Sequence, residues 1–134
     1  MPNIHQFLAI AILALSISSG AVSGQAIGLV EKASLQAAMQ QHINRMLVND
    51  AYLQLNMETG EVRALRPVTA HPIILKMGEY FVLCADFRDE KGNSVSIDFY
   101  LAQQDQSYIV FHSAVDDREQ LMALMNKGIV ERLE

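Results

Sequence analysis

The strongest constraint on this chain is an alternation of apolar and polar residues through three consecutive segments. Residues 79–88 read EYFVLCADFR, residues 95–101 VSIDFYL and residues 108–115 YIVFHSAV. Two polar clusters, DEKGN at 89–93 and QQDQ at 103–106, separate them. A period of two belongs to strands, whose side chains point to opposite faces in turn. Connections this short cannot carry a crossover, so the three strands must form an antiparallel meander.

The alternation assigns faces. Phe81, Leu83, Ala85 and Phe87 fall on one side of the first strand. Val95, Ile97, Phe99 and Leu101 do so on the second, and Ile109, Phe111 and Val115 on the third. These sets are expected to share the face that packs against a helix. The opposite face then carries Tyr80, Cys84, Asp86, Arg88, Ser96, Asp98, Tyr100, Tyr108 and His112. Pairing Arg88 with Ser94 sets Cys84 opposite Asp98, and pairing Leu101 with Ile109 sets Asp98 opposite His112. Directly opposed residues have Cβ atoms about 5 Å apart, so Cys84, Asp98 and His112 are expected to form a row.

That row suggests chemistry without specifying it. A histidine near a cysteine can generate a thiolate, but a carboxylate between them raises the thiol pKa. The three are also metal-ligand types, yet a fourth donor is missing and their spacing matches no metal signature. The sequence therefore assigns no catalytic residue, no metal and no cofactor. Tyr80, Cys84, Asp86, Asp98, Tyr100, Tyr108 and His112 are expected to form a ligand-contacting surface, with the tyrosine hydroxyls near its rim. The alternative is a thiol- or metal-dependent enzyme using Cys84, Asp98 and His112. No phosphate-cradling glycine loop, paired-carboxylate signature or G-x-S-x-G motif is present. His42 reads as a helix-flank residue and His71, before Pro72, as a loop residue. Met39, Met46, Met122 and Met125 fall at helical spacing, which marks core filler rather than copper ligands.

The flanking segments complete an α+β chain. Residues 29–48 contain no Gly or Pro and repeat Leu35, Met39, Ile43 and Met46 at helical spacing, which predicts a long amphipathic helix. Asn49 and Asp50 read as its termination signals. Residues 52–57 and 62–65 alternate around a turn at Gly60, a hairpin. Pro67 and Pro72 bracket a connection that blunts edge pairing, and residues 73–77 are a short apolar run ended by Gly78. Asp116 or Asp117, with Glu119 or Gln120 three residues on, predicts a capping box for a last helix. Leu121, Leu124 and Met125 form its apolar face, Gly128 its C-terminal stop, and Ile129, Val130 and Leu133 dock the tail. The expected architecture is a long N-terminal helix on an antiparallel meander of about four to five strands, with a short C-terminal helix.

This order of helix, hairpin, meander and helix resembles the cystatin-like and NTF2-like layout of small exported domains, in which a long helix crosses a curved antiparallel sheet. The resemblance is architectural, and the Q-x-V-x-G loop by which cystatins enter proteases is absent. The Thr-Gly-Glu-Val turn at 59–62 is similar to turns of PepSY modules of exported proteins.

The N-terminal segment bears on compartment. Residues 7–17 read FLAIAILALSI, the length of a signal h-region, and small residues follow from Ser18 to Ala26. Residues 1–26 are therefore expected to be a cleaved signal peptide and residues 27–134 a single exported domain, periplasmic or extracellular. An uncleaved membrane anchor is the competing reading, disfavoured because small polar residues dilute the second half of the apolar stretch. The only cysteine is Cys84, so neither lipid attachment after the h-region nor an internal disulfide is available. The formal charge is −5 and the lysines and arginines are scattered singly, which excludes a nucleic-acid binder. What remains is a non-catalytic binding or protein-interaction module. Its expected partner is a protein or small molecule, with self-association through an open edge strand as a related route.

Overall fold

A computed structural model describes residues 26–134; the expected signal peptide lies, but for its last residue, outside the described residues. The elements are α1 (Leu29–Met46), β1 (Leu47–Val48), β2 (Ala51–Leu55), β3 (Val62–Met77), β4 (Tyr80–Arg88), β5 (Ser94–Gln104), β6 (Ser107–Val115), α2 (Arg118–Asn126) and β7 (Glu131–Arg132). The α+β class, the N-terminal helix, the antiparallel sheet and the short C-terminal helix are as expected. The sheet has seven strands rather than four to five, in the order β1-β2-β3-β4-β5-β6, with β7 added to β3. Among the described residues, no helix is long and apolar enough to cross a membrane.

The two extra short strands come from the end of the expected helix over 29–48 and from the C-terminal tail. Leu47 and Val48 leave the helix and fold back on β2, so Met46 is half-exposed rather than part of the buried stripe. Asn49 and Asp50 form the two-residue turn, with φ of 49° and 61°. Asparagine and aspartate tolerate that left-handed region better than other side chains, which suits them to a tight hairpin. At the other end, β7 pairs with β3 through Leu75↔Arg132 and Lys76↔Glu131.

The proline-bracketed connection is instead part of one 16-residue strand. Proline lacks the N–H that a ladder on both sides would require. β3 tolerates Pro67 and Pro72 because β2 pairs only as far as Leu65 and β7 only from Leu75, leaving one side open between them. Register shifts at Pro67/Thr69 and Ala70/Ile74 bend the strand. Across the second, His71, Pro72 and Ile73 stand against the single residue Cys84.

Both faces of the sheet carry a helix. Leu35, Met39 and Ile43 of α1 are at most 2% exposed and pack on Phe81, Leu83, Phe87, Val95, Ile97, Phe99 and Leu101. Tyr52 and Phe87 stack around Phe99 at centroid distances near 6 Å. α2 lies on the opposite face, where Leu121 buries against Leu75, Val82 and Val130, with Tyr100, Leu124 and Met125 around them. The C-terminal segment straddles the sheet, since Val130 joins the α2 layer and Leu133 the α1 layer. Ile129, expected to dock, is half-exposed. Gly128 has φ +69° and accepts the helix end as expected: its N–H donates to Met125 O, and that of Ile129 to Leu124 O. At the other end Asp117 is the N-cap residue, but its side chain makes no capping hydrogen bond.

β6 departs from the expected register. The shift lies between Tyr100↔His112 and Leu101↔Val110, which leaves Phe111 as an extra, bulged residue. The bulge exchanges faces along the strand. Tyr108 and Val110 pack on the α1 side, whereas Phe111 stacks on Tyr80 and Tyr100 on the other. Phe81 and Phe99 therefore share a face, but Phe111 and Ile109 do not join them, and both are substantially exposed.

Candidate functional site

β4 and β5 pair through Arg88↔Ser94 and Cys84↔Asp98, as expected. The third member of the row is not there. Asp98 stands opposite Ala114, and His112 opposite Tyr100, whose ring it approaches at 5.4 Å. Two one-residue displacements add up: the β5–β6 turn pairs Leu101 with Val110 rather than with the expected Ile109, and the Phe111 bulge displaces every later pairing by one more. Tyr108 is turned to the other side of the sheet, where its hydroxyl donates to Glu31 Oε1 at 2.9 Å and its ring meets Phe81. Tyr80 is 42% exposed and Tyr100 is packed under α2. The three tyrosines do not converge on a common rim.

What surrounds Cys84 and Asp98 comes from elements that the alternation did not select. Arg118, in the first turn of α2, donates from Nη2 to Cys84 Sγ at 2.8 Å and lies 3.3 Å from Asp98 Oδ1. Asp98 is 2% exposed, the buried charge of the sheet, while the Arg118 side chain remains 44% exposed. Despite the ion pair, Asp98 Oδ1 has no hydrogen-bond partner of good geometry. From β3, His71 Nε2 meets Asp86 Oδ2 at 2.7 Å, and Ser96 Oγ donates to the other oxygen, Oδ1, at 2.8 Å.

Burial dominates the electrostatics here. It pushes the Asp98 carboxyl up from its ordinary value, against the pull of the Arg118 guanidinium. It pushes the Cys84 thiol up to about 12, reinforced by the Asp98 charge and opposed by Arg118. Asp86 moves the other way: the His71 hydrogen bond, aided by Ser96, holds its carboxyl below the usual range. Cys84 is thus a protonated thiol at neutral pH, poorly suited to nucleophilic attack. His112, its expected activator, is not among its neighbours.

His71, Cys84, Asp98 and Arg118 form the polar end of a cavity of about 190 Å³ between α2 and the sheet. The rest of its lining is apolar or thioether: Ile73, Leu75, Val82, Leu83, Met122 and Met125. Arg132 of β7 also borders it.

Two of the residues that matter escaped the sequence reading. Pro72 after His71 predicts a loop, yet prolines and bulges are compatible with a strand that is open on one side, and His71 lies in β3. Arg118 gave no signal of its own. The outer face carries Val82, Tyr100 and Leu75, too apolar to face water, and the short Leu121/Leu124/Met125 stripe was the available cover.

The chain matches no family model, and neither the curated proteins nor the solved structures contain a significant match to it.

Proposed function

We propose that this chain is an exported, non-catalytic binding module whose ligand site is the cavity between α2 and the outer face of the sheet. The carrying observation is the cavity's composition: an apolar wall closed at one end by the Cys84–Asp98–Arg118 group. Ligand sites generally combine apolar walls with a few placed polar groups. Its size selects the ligand. A cavity of about 150 Å³ accepts benzene, whereas drug-sized ligands need roughly 300 Å³ or more. The 190 Å³ here suits a single ring or a short branched chain with one polar head.

Two observations weigh against the thiol enzyme. The Cys84 thiol is pushed up to about 12, and His112 pairs with Tyr100 instead of Asp98. Export rests on the apolar run at 7–17 and the small residues after it. A lone buried cysteine is consistent with an oxidising compartment, where an exposed thiol would be a liability.

The test is a titration with benzyl alcohol, followed through backbone amide shifts. Saturable shifts at Val82, Leu121 and Met125 are expected. Met122 lines the cavity yet is 46% exposed, so Met122→Trp can fill the space without disrupting the core. Loss of the saturable shifts in this variant supports the reading. Shifts that never saturate, or that persist unchanged in the tryptophan variant, overturn it.

A further inference from the structure

His71 of β3, with Cys84 and Asp86 of β4, places an imidazole, a thiol and a carboxylate on one face of the sheet. Their donor atoms all lie within 4.8 Å of one another. We propose that His71, Cys84 and Asp86 form a binding site for a divalent transition metal of the zinc class.

The donor set carries the choice of ion. Nitrogen, sulfur and carboxylate oxygen together suit zinc, whereas calcium and magnesium take oxygen ligands. The backbone supplies the placement. Cys84 and Asp86 are two apart on one strand and so share a face. The β3 irregularity between Ala70 and Ile74 brings His71 beside them, and bulges of this kind are common beside functional sites. The carboxylate is already held in place: Ser96 Oγ donates to Asp86 Oδ1 at 2.8 Å while Oδ2 meets His71 Nε2. Metal-ligating carboxylates are held in this way.

An independent observation comes from Asp98. It stands opposite Cys84 in register, is 2% exposed, and leaves Oδ1 without a hydrogen-bond partner. A buried carboxylate oxygen so exposed to its own desolvation cost calls for a cation. In the metal-free protein that positive charge is supplied by Arg118, against both Cys84 Sγ and Asp98 Oδ1. Its side chain is nearly half-exposed and sits on the first turn of α2, so it can withdraw into solvent. Arg118 and the metal therefore compete for the same negative end of the cavity. On binding, the ion takes the place of the hydrogen bond between His71 Nε2 and Asp86 Oδ2, His71 ligating as the neutral tautomer protonated on Nδ1, and the Cys84 thiol proton leaves to solvent; no redox change is involved.

The site goes beyond the binding of an apolar ligand, since it joins His71 and Cys84 at the polar end of the cavity to Asp86 beyond it and is measured with the metal alone. The full chain, purified without a polyhistidine tag, is titrated with zinc against a chromophoric indicator and with cobalt(II) by absorption spectroscopy. One tight equivalent and a thiolate-to-cobalt charge-transfer band are expected. Cys84→Ser should abolish the band, and His71→Ala should weaken zinc by about a hundredfold or more. Ser96→Ala, outside the ligand set, should weaken it about tenfold. Arg118→Gln should tighten zinc, because it removes the competing cation, an outcome that adventitious surface binding would not produce. Thermal melting of each metal-free variant separates loss of a ligand from loss of the fold. The proposal fails if folded His71→Ala and Cys84→Ser bind zinc as wild type does, or if no charge-transfer band appears. Met122→Trp distinguishes the two readings, since it should block benzyl alcohol and leave zinc binding intact.

Discussion

Arg118 Nη2 lies 3.3 Å from Asp98 Oδ1, joining a partly exposed guanidinium on α2 to a carboxylate that the sheet and helix have almost wholly removed from water. The pair is unequal. The acid bears most of the desolvation cost, and one half-solvated partner does not fully offset it.

The first prediction follows from that imbalance. Burial raises the Asp98 carboxyl above its ordinary value of 3.8, so the folded chain holds this proton more tightly than the unfolded chain does. The stability it contributes is full below 3.8 and is lost as pH rises through the raised value. Asp98→Asn cannot ionise and should escape that loss. In urea unfolding across a pH series, the variant should gain on wild type as pH rises; parallel pH profiles would refute the account.

Cys84 should be nearly inert in the native state. Raising a thiol from 9.0 to about 12 lowers its thiolate fraction about a thousandfold at neutral pH. Alkylation by iodoacetamide should therefore be slow in the folded protein and fast in urea, as followed by mass spectrometry. Rapid native labelling would return thiol chemistry to consideration.

The α1 side of the sheet should be the principal source of stability. Phe99 is fully buried and meets His42, Tyr52 and Phe87 through its ring. Phe99→Ala should cost about 3–5 kcal/mol, a large part of the ~5–15 kcal/mol available to a domain of this size. Equilibrium unfolding by circular dichroism measures it, and a cost below that of an exposed-site control such as Phe111→Ala would contradict the assigned core.

Gly128 should matter to the cavity although it does not line it. At φ +69° an alanine is strained by about 1–2 kcal/mol, and the two backbone bonds that end α2 depend on that conformation. Gly128→Ala should lower thermal stability and weaken benzyl alcohol binding together. Gly60→Ala, also at positive φ but in the β2–β3 turn, should affect stability alone.

The central strands were the most legible part of the fold. In β4 and β5 the apolar residues occupy every second position and DEKGN permits only a tight return, so the Cys84–Asp98 pairing followed from counting. β6 resisted the same logic because Tyr108, Ile109, Val110 and Phe111 are all apolar or aromatic. Such a run suits either face, and nothing in it marks a bulge. The side on which α2 packs was likewise not encoded locally, since a nine-residue stripe can cover either face of a sheet. That choice brought Arg118 to Cys84 and gave the candidate site its charge. His71 was hidden by a sound local rule about proline, overridden because β3 is open on one side where the prolines occur.

The extra residue at Phe111 has a consequence for the outermost strand. A flat, regular β6 would offer incoming chains an uninterrupted row of main-chain donors and acceptors, the starting point for fibre growth. The twist imposed at Phe111 interrupts that row midway, so the aromatic cluster it presents beside Tyr80 and Tyr100 can stay accessible without inviting the protein to polymerise.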